Sequence, residues 1–167
     1  RYELLRARCR AFAEALQTVN ILKDVATDSE HENSIYVPEQ LLRAHGSAHA
    51  TILAPELLSQ NREALGTLID LAWRDLEQAK TYLLLIPRRA VSIRLFCALP
   101  LLFAYATLRD LTRTPNALAS RVVVKISRRE VKAITMLSFI TVGSNIALKW
   151  LMARTRGDSY SECEIVS

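Results

Sequence analysis

The chain has 167 residues, of which 50% are hydrophobic, and it contains only four glycines and five prolines. This length suffices for one hydrophobic core, and the scarcity of Gly and Pro predicts a mostly helical fold. The formal net charge of +5 comes from 22 basic and 17 acidic residues spread along the chain. Because no tight basic block is interleaved with aromatic residues, this charge disfavours nucleic acid as a partner and leaves anionic ligands or a membrane surface.

Cysteine and histidine spacing also limits the function classes. Cys9, Cys97 and Cys163 are far apart and form no CxxC motif, which disfavours a zinc site or a disulfide framework and predicts a reducing, cytoplasmic location. Cys9 and Cys97 stand in apolar helical sequence and are predicted to be buried. His45 and His49 have the spacing of a zinc pair but no third ligand nearby, so we interpret them as part of a polar loop.

Hydrophobic periodicity predicts a first helix over residues 2–26. A short helix is expected to follow Pro38. Pro55 then begins a long helix that ends before Pro87, since proline is tolerated in a first turn and stops a helix that precedes it.

Two further helices are predicted in the second half of the chain. The first runs from about residue 89 to 111 and is nearly all apolar, and Pro100 is expected to kink it. Its apolar run is short for a membrane span, so we interpret it as a central core helix. Ser127 and Glu130 have the spacing of a capping box and begin a last helix, which is expected to end near residue 154 and to pack on the others, with membrane association as the alternative.

No internal repeat, linker or domain boundary is visible in the sequence. Long helices joined by short connections predict an all-α helical bundle. We therefore expect one domain over residues 1–155 and a flexible tail at 156–167.

The stretch QTVNILKDVATD, residues 17–28, has a polar pattern that a core helix would not need. Its polar residues Gln17, Asn20, Asp24 and Asp28 follow one another at steps of three, four and four, which places them on one face of a helix. Magnesium prefers oxygen ligands and commonly takes one or two carboxylates together with water and phosphate oxygens. Two acids one turn apart therefore suit a magnesium site, although an ordinary exposed helix end has the same spacing.

The pattern extends beyond this stretch. QTVNILKDVATD followed by IYVP resembles the second aspartate-rich region of the squalene and phytoene synthase family, and the matching positions are Gln17, Asn20, Asp24, Asp28, Tyr36 and Pro38. YLLLIPRRAVSIRLFCALPLLFAYATL, residues 82–108, resembles the helix that lines the deeper pocket of squalene synthases, and VVVKISRREVKAI, residues 122–134, resembles the basic segment that follows it. The FCALP and ATL elements favour the squalene branch, whereas IYVP is closer to the phytoene branch.

This resemblance implies an isoprenoid synthase-type fold that joins two farnesyl diphosphates head to head, through presqualene diphosphate, and reduces the product to squalene with NADPH. It implies that Asp24 and Asp28 bind magnesium and that Gln17 and Asn20 line the catalytic pocket. The residues implied to contact substrate are Lys23, Tyr36, Phe96, Cys97, Leu99, Leu102 and Phe103. Those implied to contact NADPH are Asn20, Lys125 and Arg128. A phytoene or dehydrosqualene synthase, which releases its product without reduction, is the alternative within the family.

The chain departs from the family pattern at several positions. Lys23 stands where the family has arginine, Thr27 where an acid is usual, and Ser127 where a second basic residue is expected. The sequence also contains no second DxxxD motif, and the family's first aspartate-rich motif lies in an N-terminal half. We therefore expect this chain to be the C-terminal half of such an enzyme, inactive without the N-terminal half. A non-catalytic helical subunit that binds a partner is the remaining alternative, and the apolar substrates make a location peripheral to a membrane reasonable.

Overall fold

A computed structural model of the chain describes residues 2–31, 35–114 and 124–157, and the side chains of these residues except 26, 30 and 31. All regular secondary structure within these ranges is helical, which confirms the predicted all-α fold. The α-helices are α1 (Tyr2–His31), α2 (Glu39–Ala44), α3 (Leu58–Leu85), α4 (Val91–Arg113), α5 (Arg128–Thr141) and α6 (Asn145–Arg156), and short 3-10 helices form at His49–Thr51 and Pro55–Leu57. Residues 158–167 of the predicted tail lie outside the described residues.

The two longest helices, α1 and α3, pack along each other and form one side of the core. The buried positions of α1 recur at helical intervals, at Ala15, Val19, Leu22 and Val25. Those of α3 include Ala64, Leu68, Ala72, Leu76, Ala79 and Leu83. Repeated alanines at the contact have small side chains, so the two helix axes can approach closely while the leucines fill the remaining space.

The apolar helix α4 lies at the centre of the bundle and contacts α1, α3, α5 and α6. Its helical structure continues through Pro100 to Arg113. By length and composition it is the one helix among the described residues that is able to cross a membrane, but 56% of its apolar window is buried inside the bundle. This is weak evidence for a membrane span, because the core helix of a globular bundle passes the same test.

Two helix boundaries and one burial prediction from the sequence are wrong. Helix α1 continues five residues past the predicted end at 26, because no Gly or Pro interrupts residues 27–31. The predicted last helix is two helices, because the chain turns after Thr141 and the Ser144 hydroxyl accepts a hydrogen bond from the amide of Ala147, which starts α6. The side chain of Cys9 is exposed, whereas Cys97 is buried as predicted.

A single buried arginine joins three helices at one end of the bundle. Arg94 in α4 is fully buried. Its guanidinium donates hydrogen bonds to the carbonyl oxygen of Val142 at 2.7 Å, the carbonyl oxygen of Ile86 at 2.6 Å and Oδ1 of Asn145 at 2.8 Å. Ile86 and Val142 are the C-terminal caps of α3 and α5, so the positive charge lies at the negative ends of two helix dipoles. Burial, with a contribution from the neighbouring Arg88, lowers the pKa of Arg94.

A second arginine joins the same helices at the other end of α4. Arg109 donates hydrogen bonds to Oε1 of Glu130 at 2.8 Å and to the carbonyl oxygen of Thr155 at 2.9 Å. The bond to Glu130, together with contacts to Asp110, raises the pKa of Arg109. Helices α5 and α6 are therefore bound to α4 at both ends by guanidinium groups.

We expect Arg94→Met to lower the free energy of unfolding by about 3–5 kcal/mol, because two carbonyls and one amide oxygen would lose a charged donor inside the core. Arg89→Met is the matched control, since Arg89 is exposed, and it should change stability by less than about 0.5 kcal/mol. Urea unfolding followed by circular dichroism measures both. Equal stability of the two variants would contradict the structural role of Arg94.

Candidate functional site

The polar residues of the 17–28 stretch lie on the side of α1 that faces away from the core. At 100° per residue, the line of Gln17, Asn20, Asp24 and Asp28 points opposite to the buried stripe of Ala15, Val19, Leu22 and Val25. Gln17 and Asn20 are exposed, and Asp24 and Asp28 are partly exposed. The line extends along about 16 Å of helix, and the two aspartates are separated by a rise of about 6 Å. The structure therefore brings the four predicted residues together on one accessible face.

Lys23 forms an ion pair with the first aspartate of this face. Its Nζ lies 3.3 Å from Oδ2 of Asp24, and the two side chains are 33% and 37% exposed. A pair this exposed contributes only about 0–1 kcal/mol, so a stronger ligand would displace it readily. The lysine is thus placed to exchange its contact with Asp24 for one with an anionic ligand beside a metal ion.

The oxygen donors on this face fit magnesium in chemical type. Asp24 and Asp28 supply two carboxylates, and magnesium commonly combines one or two carboxylates with water and substrate phosphate oxygens. Within the described ranges, no group of three or more His, Cys, Asp or Glu residues comes together as a metal cluster. Such an ion would therefore need its remaining ligands from water, from phosphate or from other protein oxygens.

The loop that carries Tyr36 is held against the body of the protein. Val37 is almost fully buried, whereas Tyr36 beside it is 60% exposed. Nε2 of His49 lies 2.7 Å from the carbonyl oxygen of Val37, and the buried amide of Asn61 donates to the carbonyl oxygens of Thr51 and Ile52 at 2.9 and 3.0 Å. These contacts give His49 a structural role and fix the backbone on which Tyr36 is presented.

The predicted pocket residues of α4 divide between two sides of the helix. Phe96 is 80% exposed, and it shares a stripe with Leu99 and Phe103, which are partly buried. Cys97 and Leu102 instead point into the core, and burial raises the pKa of the Cys97 thiol. Among the predicted pocket residues of α4, the apolar surface available to a ligand is therefore the stripe of Phe96, Leu99 and Phe103.

The predicted NADPH residues lie in two separate parts of the chain, α1 and the segment that leads into α5. Lys125 is exposed before α5 and Arg128 is exposed in its first turn. Ser127 is the N-cap, as predicted, because its hydroxyl accepts a hydrogen bond from the amide of Glu130, whereas the Glu130 carboxylate accepts one from Arg109. Helix α5 packs mainly against α4 and α6, whereas Asn20 lies on α1, which packs against α3 and α4. The described contacts do not join Asn20 to the two basic residues.

Sequence reasoning missed the role of Arg94, which joins the N-terminal end of α4 to α3, α5 and α6. The available signal was a single charge in the otherwise apolar sequence from Val91 to Leu108. A charge in such a position is expected to be buried with partners. The partners themselves are far away in sequence and could not be identified.

An all-α bundle with two carboxylates on an exposed helix face and an apolar central helix is a suitable scaffold for a protein that handles apolar diphosphates. A family model described as squalene/phytoene synthase matches residues 3–130, which is more than half of the chain. The chain therefore belongs to the squalene/phytoene synthase family, and its fold is the all-α isoprenoid synthase fold of that family. No curated protein matches the chain. Membership supports an enzyme that transfers prenyl groups in head-to-head condensation.

We expect Asp28→Asn to leave the protein folded and to raise its stability by about 0.3–1 kcal/mol, because Asp28 lies in the last turn of α1, where a negative charge opposes the helix dipole. Asp70→Asn, at an exposed position within α3, is the control and should change stability less. Thermal unfolding compares the two variants. A destabilised Asp28→Asn protein would show that this aspartate serves the fold.

Proposed function

We propose that the chain forms the C-terminal part of an enzyme that condenses two farnesyl diphosphates head to head, through presqualene diphosphate, and reduces the product to squalene with NADPH. The observation that carries this proposal is the accessible line of Gln17, Asn20, Asp24 and Asp28 on a helix whose opposite side is packed into the core. Acids on an exposed helix face that do not stabilise the helix are expected where a ligand needs them.

In this proposal, Asp24 and Asp28 hold magnesium against a substrate diphosphate. The bound metal supplies positive charge that stabilises the departing diphosphate. Lys23 leaves its ion pair with Asp24 and donates to a phosphate oxygen, while Gln17 and Asn20 orient the diphosphate by hydrogen bonding. Charge stabilisation of this kind is most effective at a site prepared in advance by the protein.

The hydrocarbon part of the substrate is assigned to the apolar stripe of Phe96, Leu99 and Phe103, with Tyr36 near the entrance. Cys97 and Leu102 lie behind that stripe in the core and would support its shape rather than touch the substrate. An apolar wall keeps water from a carbocation, and aromatic faces stabilise positive charge. The high exposure of Phe96 fits a residue whose contacts are made by substrate or by another part of the enzyme.

Reduction by NADPH is assigned to the basic residues at the start of α5. Lys125 and Arg128 are exposed cations that suit the phosphate groups of the cofactor, and Asn20 would contact it from α1. A dehydrosqualene or phytoene synthase remains the alternative, supported by the IYVP segment and by Ser127 at a position where a second basic residue is expected.

The proposed reaction requires a second set of carboxylates facing α1. We assign it to an N-terminal half that carries the first aspartate-rich motif, either upstream in the same protein or as a partner chain. Without that half, the chain is expected to lack activity, because only two carboxylates would face the metal ions.

The first test is an assay of the chain joined to its upstream coding segment, with farnesyl diphosphate and magnesium and with or without NADPH. We expect squalene only when NADPH is present. Asp24→Asn should lower the rate by about 100-fold or more, because a neutral amide cannot balance the charge of the metal. Asp70→Asn is the matched control and should retain full activity.

An unreduced C30 hydrocarbon formed regardless of NADPH would assign the protein to the dehydrosqualene branch. No product from a folded, complete protein would favour a non-catalytic subunit. Equal activity of Asp24→Asn and Asp70→Asn would contradict the metal site.

The NADPH assignment has its own prediction. Lys125→Ala combined with Arg128→Ala should raise the KM for NADPH by about 100-fold or more, because each lost charge-assisted hydrogen bond costs about 1.5–3 kcal/mol. Formation of presqualene diphosphate should be unchanged. Arg74→Ala, an exposed position on α3, is the control, and an unchanged KM in the double variant would place the cofactor elsewhere.

A further inference from the structure

The C-terminal half of helix α5 exposes large apolar side chains and buries two hydroxyl groups. Its outward residues Met136, Phe139 and Ile140 are 68%, 64% and 77% exposed, while Ser138 and Thr141 are buried. The two hydroxyls are satisfied by carbonyl oxygens one turn earlier in the same helix, at 2.7 and 2.8 Å. Large apolar side chains that are exposed next to buried hydroxyl groups form a surface that is expected to be covered by a membrane or by another protein.

The turn between α5 and α6 extends this surface. Ile146 in the first turn of α6 is 67% exposed, and Trp150 one turn later is 38% exposed. The connection from Thr141 to Asn145 is short, so the apolar end of α5 adjoins the apolar start of α6. We name Met136, Phe139, Ile140, Ile146 and Trp150 the α5–α6 patch.

The described residues around the patch are basic, because the acids of α4 and α5, Asp110 and Glu130, pair with Arg109 at the other end of α4. Residues 131–157 include no Asp or Glu, and neither do residues 78–109. Lys132 and Lys149 are exposed on the same helices as the patch. Arg88 and Arg89 are exposed in the turn before α4, and Arg94 ties that turn to the α5–α6 turn through Ile86 and Val142. Four cations thus lie on the elements that meet at this end of the bundle.

We propose that the α5–α6 patch docks the protein on a membrane surface that carries anionic headgroups. The apolar side chains of the α5–α6 patch would enter the boundary between headgroups and acyl chains. The flanking cations would attract anionic lipid. Trp150, with Arg154 placed 6.0 Å from its ring, has the amphipathic side chain favoured at that depth. Charge complementarity selects this occupant over a second copy of the chain, because two acid-free basic ends repel each other.

This docking requires no membrane-spanning helix. Helix α4 stays packed in the bundle, and the patch lies on the last two helices. The inference goes beyond the proposed reaction and rests on the proposed function only for the N-terminal half used in its test, since binding to lipid is measured without substrate.

The test is flotation of the full-length protein, including its upstream segment, with vesicles of phosphatidylcholine alone or with 30 mol% phosphatidylserine. We expect flotation with the anionic vesicles, about tenfold weaker partitioning after Phe139→Ser with Ile140→Ser, and about fivefold weaker partitioning for each of Lys132→Gln and Lys149→Gln. Leu71→Ser and Arg74→Gln, at exposed positions on α3, are the matched controls and should float like the unchanged protein.

A second readout locates the contact. Anionic vesicles should shift the tryptophan fluorescence of the protein to shorter wavelength, and Trp150→Phe should abolish the shift, because Trp73 is packed against Tyr105. The proposal is overturned by equal flotation of the patch and control variants, by flotation of the chain without its upstream segment but not of the full-length protein, or by a dimer in solution that Phe139→Ser with Ile140→Ser dissociates.

Discussion

The burial of Arg94 is the constraint on which the arrangement of the helices depends. A guanidinium group stays charged inside a protein, so a buried one needs nearby oxygens that accept its hydrogen bonds. Here the acceptors are the ends of α3 and α5 and the first side chain of α6. Arg94 therefore holds together the ends of two helices and the beginning of a third, and α4 keeps its position relative to all of them.

Helix α1 shows how the fold and the candidate site are divided between two faces of one element. The buried stripe around Val19 and Leu22 holds the helix on α3. The opposite face can therefore carry amides and acids that do not take part in this packing. A site of this kind depends on the stiffness of a long, well-packed helix, because the spacing of Asp24 and Asp28 is only as constant as the backbone that carries them.

Much of this arrangement could be predicted from local sequence. The 3.6-residue period revealed the bundle, and the four-residue spacing of Asp24 and Asp28 was enough to predict that they share one helix face. The same period hid the break at Gly143 and Ser144, since apolar residues continue on both sides of it. Exposure at Phe96 and the bond from Arg94 to Val142, 48 residues apart, depend on how the helices meet, and no local pattern contains that information.

The two arginines of α4 also affect the order in which the helices can pack while the protein is being synthesised. Arg94 binds residues 48 and 51 positions later, and Arg109 binds a carbonyl 46 positions later. The bonds to α5 and α6 can form only after these helices have left the ribosome, which takes several seconds at about 5–20 residues per second. During that interval one side of the most apolar helix has no cover, so the nascent chain is most exposed to aggregation just before the α5–α6 hairpin arrives.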